Sequence, residues 1–218
     1  MDFDAILFDN DGVLVDTERL YFQASREVLS GIGIPLDEAD YVELFLRTAR
    51  GAFHLATERG HDARAIDDLR AARDRRYLAL ISASDVVMPG VAELIPALAS
   101  RYRLAIVSSS EPEPFARAHA RSGLLRHFEL VLTREHYLNS KPDPEPYRRA
   151  VEQLGLAPAR CLVIEDSERG LIAAKAAGLR CWVIPSGLTN GGRFDDADQV
   201  LPDLAAAAAL LLAQDAVG

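Results

Sequence analysis

The sequence predicts an α/β protein whose core is a Rossmann-like, doubly wound parallel sheet, with an inserted helical-bundle cap. Three observations support this fold class. Short apolar runs alternate with helical stretches along most of the chain, as they do in proteins built on a parallel sheet. Several of the runs are apolar at every position, which indicates strands covered on both faces. One long stretch near the N-terminus breaks the alternation with helices alone.

Five apolar runs are predicted to be strands, and one predicted helix precedes each of the last four. The strands are AILF at 5–8, YRLAIVS at 102–108, ELVLT at 129–133, RCLVIE at 160–165 and RCWVIP at 180–185. The helices are VAELIPALAS at 91–100, EPFARAHARSG at 113–123, PEPYRRAVEQLG at 144–155 and ERGLIAAKAAG at 168–178. Gly123, Gly155 and Gly178 stand where these helices should end. Pro96 removes a hydrogen bond inside its helix, so we expect a kink or a short first turn there.

Residues 17 to about 85 show four helical stretches and no convincing strand, which is too much chain for a loop. The stretches are 17–33, 36–48, 50–60 and 63–81. We therefore expect an α/β core domain made of residues 1–15 and 86–218, and a helical cap domain made of residues 16–85. The two crossings between them, near 15–17 and 84–88, are the expected hinges.

The composition excludes several classes of function. With 49% hydrophobic residues in 218, the chain can bury a sizeable core. A net charge of −9 argues against general binding to nucleic acids or to anionic membranes. The apolar run Leu204–Ala213 has about half the length of a membrane-spanning helix, so a closing helix packed on the core is expected. The N-terminus shows no signal-peptide pattern, and we expect a cytoplasmic monomer in which Cys161 and Cys181 are buried free thiols.

Polar residues follow the predicted strands at the edge where a parallel sheet binds its ligands. They are Asp9 and Asp11 after the first strand, Ser108–Ser110 after the second, Lys141 after the third, and Glu165 and Asp166 at the end of the fourth. Carboxylates this close repel one another unless a cation offsets them. Asp9 and Asp166, with Glu165 as a further candidate, are hard oxygen ligands suited to Mg²⁺. Lys141, Ser108 and backbone N–H groups can hold an anion, so the sequence predicts a phosphate site.

The same residues carry a family resemblance. FDNDGVLVD at 8–16, the serine after the second strand, KPDP at 141–144 and IEDS at 164–167 resemble, in the same order, the four motifs of the haloacid dehalogenase superfamily. The resemblance covers nearly the whole chain, with the helical insertion at the place of the family's small C1-type cap. The stretch AAKAAGLRCWVIPSGLT resembles the branch of sugar-phosphate phosphatases and β-phosphoglucomutases, CbbY-like proteins in particular.

The resemblance implies roles for the matching residues. Asp9 is expected to be the nucleophile that forms an aspartyl-phosphate, and Asp11 the general acid and then the base that activates water. Lys141 is expected to act in catalysis and phosphate binding by neutralising phosphoryl charge. The remaining assignments are phosphate binding by Ser108 and Ser109, and Mg²⁺ binding by Asp9, Asp11 (through its backbone carbonyl), Asp166 and Glu165, the last as a ligand or a neighbour of one. Arg47 and Arg50 fall where related caps present a substrate loop.

The expected function is a Mg²⁺-dependent phosphatase that acts on a small phosphorylated metabolite, with a sugar phosphate as the leading candidate, through an aspartyl-phosphate. Asp11 favours phosphoryl transfer, since the dehalogenases lack an acid at that place. The first alternative is a phosphomutase of the β-phosphoglucomutase type. The related mutases carry a histidine soon after the acid that begins the cap, whereas DTERLYF here has Tyr21 near that place. The second alternative is a non-catalytic partner protein that shares the fold.

Several residues also have ordinary structural interpretations. Asp16 can simply begin a helix, and Ser109 or Ser110 can equally cap one. The five histidines are expected to serve in packing or at the surface, with His54 of the cap as the exception to examine. The arginines of RAARDRRYLAL fit a solvated helix face, and Asn10 is assigned no role.

Overall fold

In the computed structural model, residues 3–213 are described, and within that range the chain forms one six-stranded, fully parallel sheet in the order β3-β2-β1-β4-β5-β6. The strands are β1 Ala5–Phe8, β2 Arg103–Val107, β3 Leu130–Leu132, β4 Cys161–Glu165, β5 Arg180–Val183 and β6 Gln199–Val200. The five predicted strands are confirmed to within one or two residues. The sixth was not predicted because it spans only two residues and lies at an edge.

Apolar side chains cover both faces of the sheet, which explains why its strands are apolar at every position. Successive residues of β1 alternate between the faces. Ile6 and Phe8 belong to one core with residues of the helices Val91–Ala99, Pro112–His119 and Leu204–Ala213. Ala5 and Leu7 belong to the opposite core with residues of the helices Glu145–Leu154 and Glu168–Ala176. Both cores are continuous with side chains from the neighbouring strands, so β1 is enclosed on every side.

The helices that cover the sheet follow the predicted order. They are α5 Val91–Ala99, α6 Pro112–His119, α7 Glu145–Leu154, α8 Glu168–Ala176 and α9 Leu204–Ala213. Helix α5 continues through Pro96 to Ala99, and α9 buries Leu204, Ala207, Ala208 and Leu211 as a closing helix should. Gly155 ends α7 in the left-handed conformation, with a φ of 66° that favours glycine.

Between β1 and α5 lies a helical segment with its own apolar core. Its helices are α1 Glu18–Ser30, α2 Glu38–Tyr41, a π-helical stretch Val42–Arg47, α3 His54–Glu58 and α4 Ala63–Ala83. Helix α1 packs along α4, and Phe22, Leu29, Tyr41 and Phe53 are buried together. We refer to residues 18–83 as the helical segment.

The two crossings between the helical segment and the sheet lie side by side. The backbone N–H of Asp16 donates to the carbonyl of Val86 at 2.7 Å, and that of Met88 donates to the carbonyl of Leu14 at 3.0 Å. Cys161 and Cys181 are buried and are free thiols. No helix within residues 3–213 combines the length and the hydropathy that crossing a membrane requires.

Candidate active site

The parallel register places the predicted acidic residues next to one another at the carboxyl edge of the sheet. Phe8 of β1 is level with Ile106 of β2 and Ile164 of β4. Asp9 therefore leaves β1 at the level where β4 ends, and its backbone N–H donates to the Ile164 carbonyl at 2.9 Å. Residues far apart in the sequence meet here because the central strand has partners on both sides.

Lys141 lies at the centre of this acidic edge. Its Nζ donates to Asp9 Oδ1 at 2.5 Å, to Glu165 Oε1 at 2.7 Å and to the Val107 carbonyl at 2.8 Å. The ammonium also stands 4.8 Å from the centre of the Tyr147 ring. All three of its donor positions are used, and its side chain is only 5% exposed. The lysine is thus fixed beside the Asp9 carboxylate.

The electrostatics of the cluster combine burial with close charges. Burial raises the pKa of Asp9 to about 8, with a further contribution from Glu165, and Lys141 opposes the shift. Burial, together with Asp9 and Glu165, raises the pKa of Asp166 well above its usual range. Burial also acts to raise the pKa of Glu165, but the Lys141 ammonium and a hydrogen bond from Tyr147 outweigh it and hold that pKa low. The edge therefore carries more buried negative charge than one ammonium can offset.

A divalent cation fits this surplus of charge. Asp9, Glu165 and Asp166 are buried, and each can offer one carboxylate oxygen within 4.8 Å of the others. An all-oxygen donor set suits Mg²⁺. Gly12 makes the close approach possible, because its φ is +87° and a Cβ there would lie 2.1 Å from Asp166 Oδ2. The Asp11 carboxylate does not belong to this group of three carboxylates. Asp11 would therefore bind a metal ion through its backbone carbonyl, as expected from the sequence.

The Asp11 carboxylate is held instead by hydroxyl and amide groups. Its Oδ2 accepts from Ser110 Oγ at 2.6 Å, from Ser108 Oγ at 3.3 Å and from the amide of Asn10 at 3.2 Å. Its Oδ1 accepts from the hydroxyl of Thr17, which precedes α1. Asp11 lines the large cavity described below, so it is oriented toward a space that can hold a ligand.

The serines after β2 have different surroundings. Ser108 is fully buried and its hydroxyl also accepts from the backbone N–H of Ser110 at 3.0 Å. Ser109 is exposed, lines the cavity, and its hydroxyl accepts from Ser140 at 3.2 Å. Neither Ser109 nor Ser110 caps a helix, because α6 begins at Pro112 and Glu111 precedes it. Ser108 therefore bonds to Asp11, while Ser109 and Ser110 line the cavity where a ligand can reach them.

A cavity of about 1180 Å³ lies between the acidic edge and the helical segment. Its far side carries basic residues: Arg50, His54, Arg70 and Arg73. The Arg73 side chain is 12% exposed, and its guanidinium lies 4.7 Å from the ring centre of Tyr21 and 5.4 Å from that of Phe53. Arg50, one of the two arginines expected at a substrate loop, lines this cavity, and so does His54, the histidine singled out for examination. Arg73 was assigned to a solvated face, whereas its side chain is largely buried and lines the cavity.

Arg47, the other arginine expected at a substrate loop, is not among the residues that line the large cavity. Its guanidinium donates to Glu168 at 3.2 Å and to the Gly191 carbonyl at 3.2 Å. These contacts tie the π-helical stretch to the α8 region and leave the side chain engaged. Asp16 is also away from the cavity, where its carboxylate pairs with Arg19, so its role at the start of a helix is the better interpretation.

Glu18 is a cavity residue that sequence reasoning did not identify. Burial raises its pKa to about 7, and its carboxylate accepts from the hydroxyl of Tyr41. Glu18 is the first residue of α1 and follows the acidic turn by only a few residues. That closeness in sequence was the one signal that could have placed it at the site. Arg169 also lines the cavity, and its guanidinium donates to the Lys141 carbonyl.

Comparison with known proteins agrees with this geometry. The sequence profile of the haloacid dehalogenase-like hydrolases matches residues 3–178. The protein CbbY of Rhodobacter capsulatus is 39% identical over 95% of this chain and 96% of its own length. A phosphorylated carbohydrates phosphatase of Thermotoga maritima is 30% identical over 90% of this chain and 92% of its own. A crystal structure of a CbbY variant from Rhodobacter sphaeroides in complex with xylulose-(1,5)bisphosphate superposes with a TM-score of 0.78, at 31% identity, over 93% of this chain and 95% of that one.

Proposed function

Because this chain belongs to the haloacid dehalogenase-like hydrolase family and is a phosphoric monoester hydrolase of the CbbY-like branch, we propose that it is a Mg²⁺-dependent phosphatase acting on a sugar phosphate. The observation that carries the proposal is the Lys141 ammonium bonded to Asp9 beside two further buried carboxylates, at the floor of a cavity. Asp9, Asp166, Glu165 and the Asp11 carbonyl are the groups that would hold the cation. Mg²⁺ would neutralise negative charge on the transferring phosphoryl group.

The first half of the reaction transfers the phosphoryl group to the protein. A carboxylate oxygen of Asp9 attacks phosphorus, an aspartyl-phosphate forms, and the bond to the sugar oxygen breaks. Lys141 offsets charge beside the attacking oxygen. Asp11, held by Ser108, Ser110 and Thr17, gives its proton to the departing sugar oxygen. The products of this half are the free sugar and the phosphorylated Asp9.

The second half returns the protein to its starting state. Asp11, now ionised, takes a proton from a water molecule that attacks the phosphorus. The acyl–phosphate bond breaks, inorganic phosphate forms, and Asp9 is again a carboxylate. Asp11 thus gives up a proton in the first half and takes one back in the second, at the same place in the site. This explains why several donors fix its carboxylate.

The basic far side of the cavity favours a substrate with a second anionic group. Arg50, Arg70 and Arg73 line the cavity together with the acidic edge, Arg73 pairing with Asp74 at 2.7 Å. Guanidinium groups bind phosphate oxygens in a bidentate manner. The related CbbY has been crystallised with xylulose-(1,5)bisphosphate. A sugar bisphosphate is therefore the substrate class that this cavity fits best, with the reacting phosphate at Asp9 and the other near Arg73.

Tyr21 supports hydrolysis over the mutase alternative. It lines the cavity near the place where the related mutases carry a histidine, and its ring packs edge-on against Tyr77 at 5.1 Å. Burial raises the pKa of Tyr21, so it remains a neutral phenol at physiological pH. A phenol of this kind cannot exchange protons with Asp11 as an imidazole can.

We further propose that the helical segment acts as a cap that opens and closes on the crossings at 15–17 and 84–88. Substrate would enter between the segment and the sheet, because the cavity is lined from both sides. Closure would exclude bulk water during transfer to Asp9. A disulfide engineered across the two sides should abolish turnover until it is reduced, whereas unchanged turnover would contradict a moving cap.

The test is release of inorganic phosphate from a panel of sugar phosphates and sugar bisphosphates, with Mg²⁺ or with EDTA. Mg²⁺-dependent release that is lost in Asp9→Asn is the expected result. Arg73→Met should raise KM for the preferred bisphosphate, while Arg64→Met, an exposed change near the start of the same helix α4, should not. Absence of release from every substrate, or conversion of one isomer to another on addition of a bisphosphate, would overturn the proposal.

A further inference from the structure

A buried polar chain links helix α6 to Asp11. Asn10 is fully buried, and its Nδ2 donates to Asp11 Oδ2 at 3.2 Å. On its other side, Asn10 Oδ1 lies 2.8 Å from Nε2 of His119, the last residue of α6. The other ring nitrogen, Nδ1, lies 3.1 Å from the hydroxyl of Ser122. Nothing in the reaction described above uses Asn10 or His119, although buried polar groups of this kind are costly unless they are paired.

Geometry sets the direction of the hydrogen bonds along this chain. Asn10 Nδ2 lies toward Asp11 Oδ2, so the amide turns its NH₂ toward Asp11. The amide oxygen then needs a donor, and His119 Nε2–H is the donor within reach. With its proton on Nε2, the neutral ring has Nδ1 as an acceptor for the Ser122 hydroxyl, which also lies 3.2 Å from the His119 carbonyl oxygen. Burial lowers the pKa of His119 to about 4, so the ring is neutral and carries the single proton that this arrangement requires.

We propose that Asn10 and His119 are positioning residues for Asp11: the His119 ring locks the orientation of the Asn10 amide, and that amide holds the Asp11 carboxylate in place for proton transfer. The inference rests on the proposed phosphatase mechanism. Without the donor of His119, the buried Asn10 amide oxygen loses that hydrogen bond, and the amide is no longer held from both sides. The Asp11 carboxylate then loses a firmly placed donor and is freer to shift.

A displaced Asp11 should slow some substrates more than others, because substrates differ in their need for a proton from Asp11. A sugar alkoxide leaves only if it is protonated, whereas p-nitrophenolate leaves without a proton. The ratio kcat/KM covers the reaction up to release of the leaving group. Damage to the position of Asp11 should therefore lower kcat/KM for a sugar phosphate far more than for p-nitrophenyl phosphate. Damage to the fold would lower both values together.

The experiment compares four variants on two substrates with Mg²⁺ present: p-nitrophenyl phosphate and the sugar phosphate that the wild type hydrolyses best. Asn10→Leu and His119→Leu should lower kcat/KM for the sugar phosphate by about ten- to a hundredfold, the range found for partners that orient the groups of metal-dependent active sites through hydrogen bonds. Both should leave p-nitrophenyl phosphate nearly unchanged. His119→Gln keeps an N–H donor for Asn10 and should retain most of the activity. Ala118→Gly weakens the same helix without touching Asn10 and should affect both substrates alike.

A second readout does not depend on activity. The ¹⁵N spectrum of the histidine side chains should show His119 as the neutral Nε2–H tautomer in the wild type, with a shifted Nε2 signal in Asn10→Leu. A protonated ring or an Nδ1–H tautomer would overturn the proposal, as would equal losses on both substrates or no loss on either in folded variants. A wild type that releases no phosphate from any substrate would instead refute the proposed function, and the spectrum would still test the hydrogen-bonded chain.

Discussion

Replacement of Lys141 by methionine tests the central arrangement of charges in the site. The change keeps an unbranched apolar stem and removes the ammonium that lies 2.5 Å from Asp9 and 2.7 Å from Glu165. The two carboxylates are then buried without their cation. Breaking a buried ion pair by removing one partner costs about 3–5 kcal/mol. Since typical domains unfold with about 5–15 kcal/mol, this loss would be a large fraction of the stability.

The free energy of unfolding should be measured by urea denaturation in EDTA, so that no divalent cation replaces the lost charge. The matched control is Lys175→Met, because Lys175 pairs with Asp198 at 2.8 Å on the surface, where the two side chains are 35% and 31% exposed. Exposed pairs contribute roughly 0–1 kcal/mol, so the control should lose much less. Equal losses in the two variants would refute the view that Lys141 stabilises a buried charged cluster.

The stability of the same variant should also depend on pH in a different way from that of the wild type. Without the ammonium, the pKa of Asp9 in the folded protein rises further above its value in the unfolded chain, and the pKa of Glu165, which the ammonium holds low, rises as well. The folded variant then binds protons more tightly than the unfolded chain, so its stability falls as pH rises. The difference in free energy of unfolding between the wild type and Lys141→Met should accordingly be larger under mildly alkaline than under mildly acidic conditions.

Three further predictions follow from single contacts. Gly12→Ala should abolish Mg²⁺ binding measured by calorimetry, because the new Cβ would lie 2.1 Å from Asp166 Oδ2; binding at the wild-type affinity would contradict the proposed metal site. Tyr147→Phe removes the hydroxyl that donates to Glu165 at 2.7 Å and should lower the free energy of unfolding by about 1–3 kcal/mol in urea, whereas no loss would show that this bond contributes nothing. Burial raises the pKa of Glu18 from an ordinary 4.5 to about 7, so the stability that its protonated form contributes is lost as pH rises through 7. The free energy of unfolding of Glu18→Gln relative to the wild type should therefore grow between pH 4.5 and pH 7. A constant difference would argue against a titrating Glu18.

The strands and the acidic edge could be predicted because their signals are local or follow from topology. A strand buried on both faces has no polar positions, so AILF and RCLVIE stand out from their surroundings. Once the strands are placed, the rule that their carboxyl ends meet at one edge brings Asp9, Lys141 and Asp166 together. Both steps need only the order of elements along the chain.

The contents of the cavity could not be predicted in the same way. Helix α4 carries several arginines, and its buried residues Ile66, Tyr77 and Ile81 are too few to show which of those arginines turns inward. Arg73 lines the cavity and stacks on Tyr21. Arg47 instead forms an ion pair with Glu168, a residue of helix α8. The bond between Asn10 and His119 joins a turn and a helix end with no common periodicity, so no pattern within either segment indicates it.

The insertion of the helical segment directly after β1 also has a consequence for how the chain folds. Ala5 precedes the helical segment in the chain, yet its strand pairs with residues as distant as Arg103 and Cys161. Contacts of such high sequence separation require large loops to close, and folding dominated by them is slow. During synthesis, β1 lacks both of its partner strands until β2 and then β4 have emerged, and an unpaired apolar strand is exposed to aggregation. The turn that carries Asp9 and Asp11 can therefore take shape only when β4 has arrived, so a nascent chain shorter than that has no means of binding a phosphate.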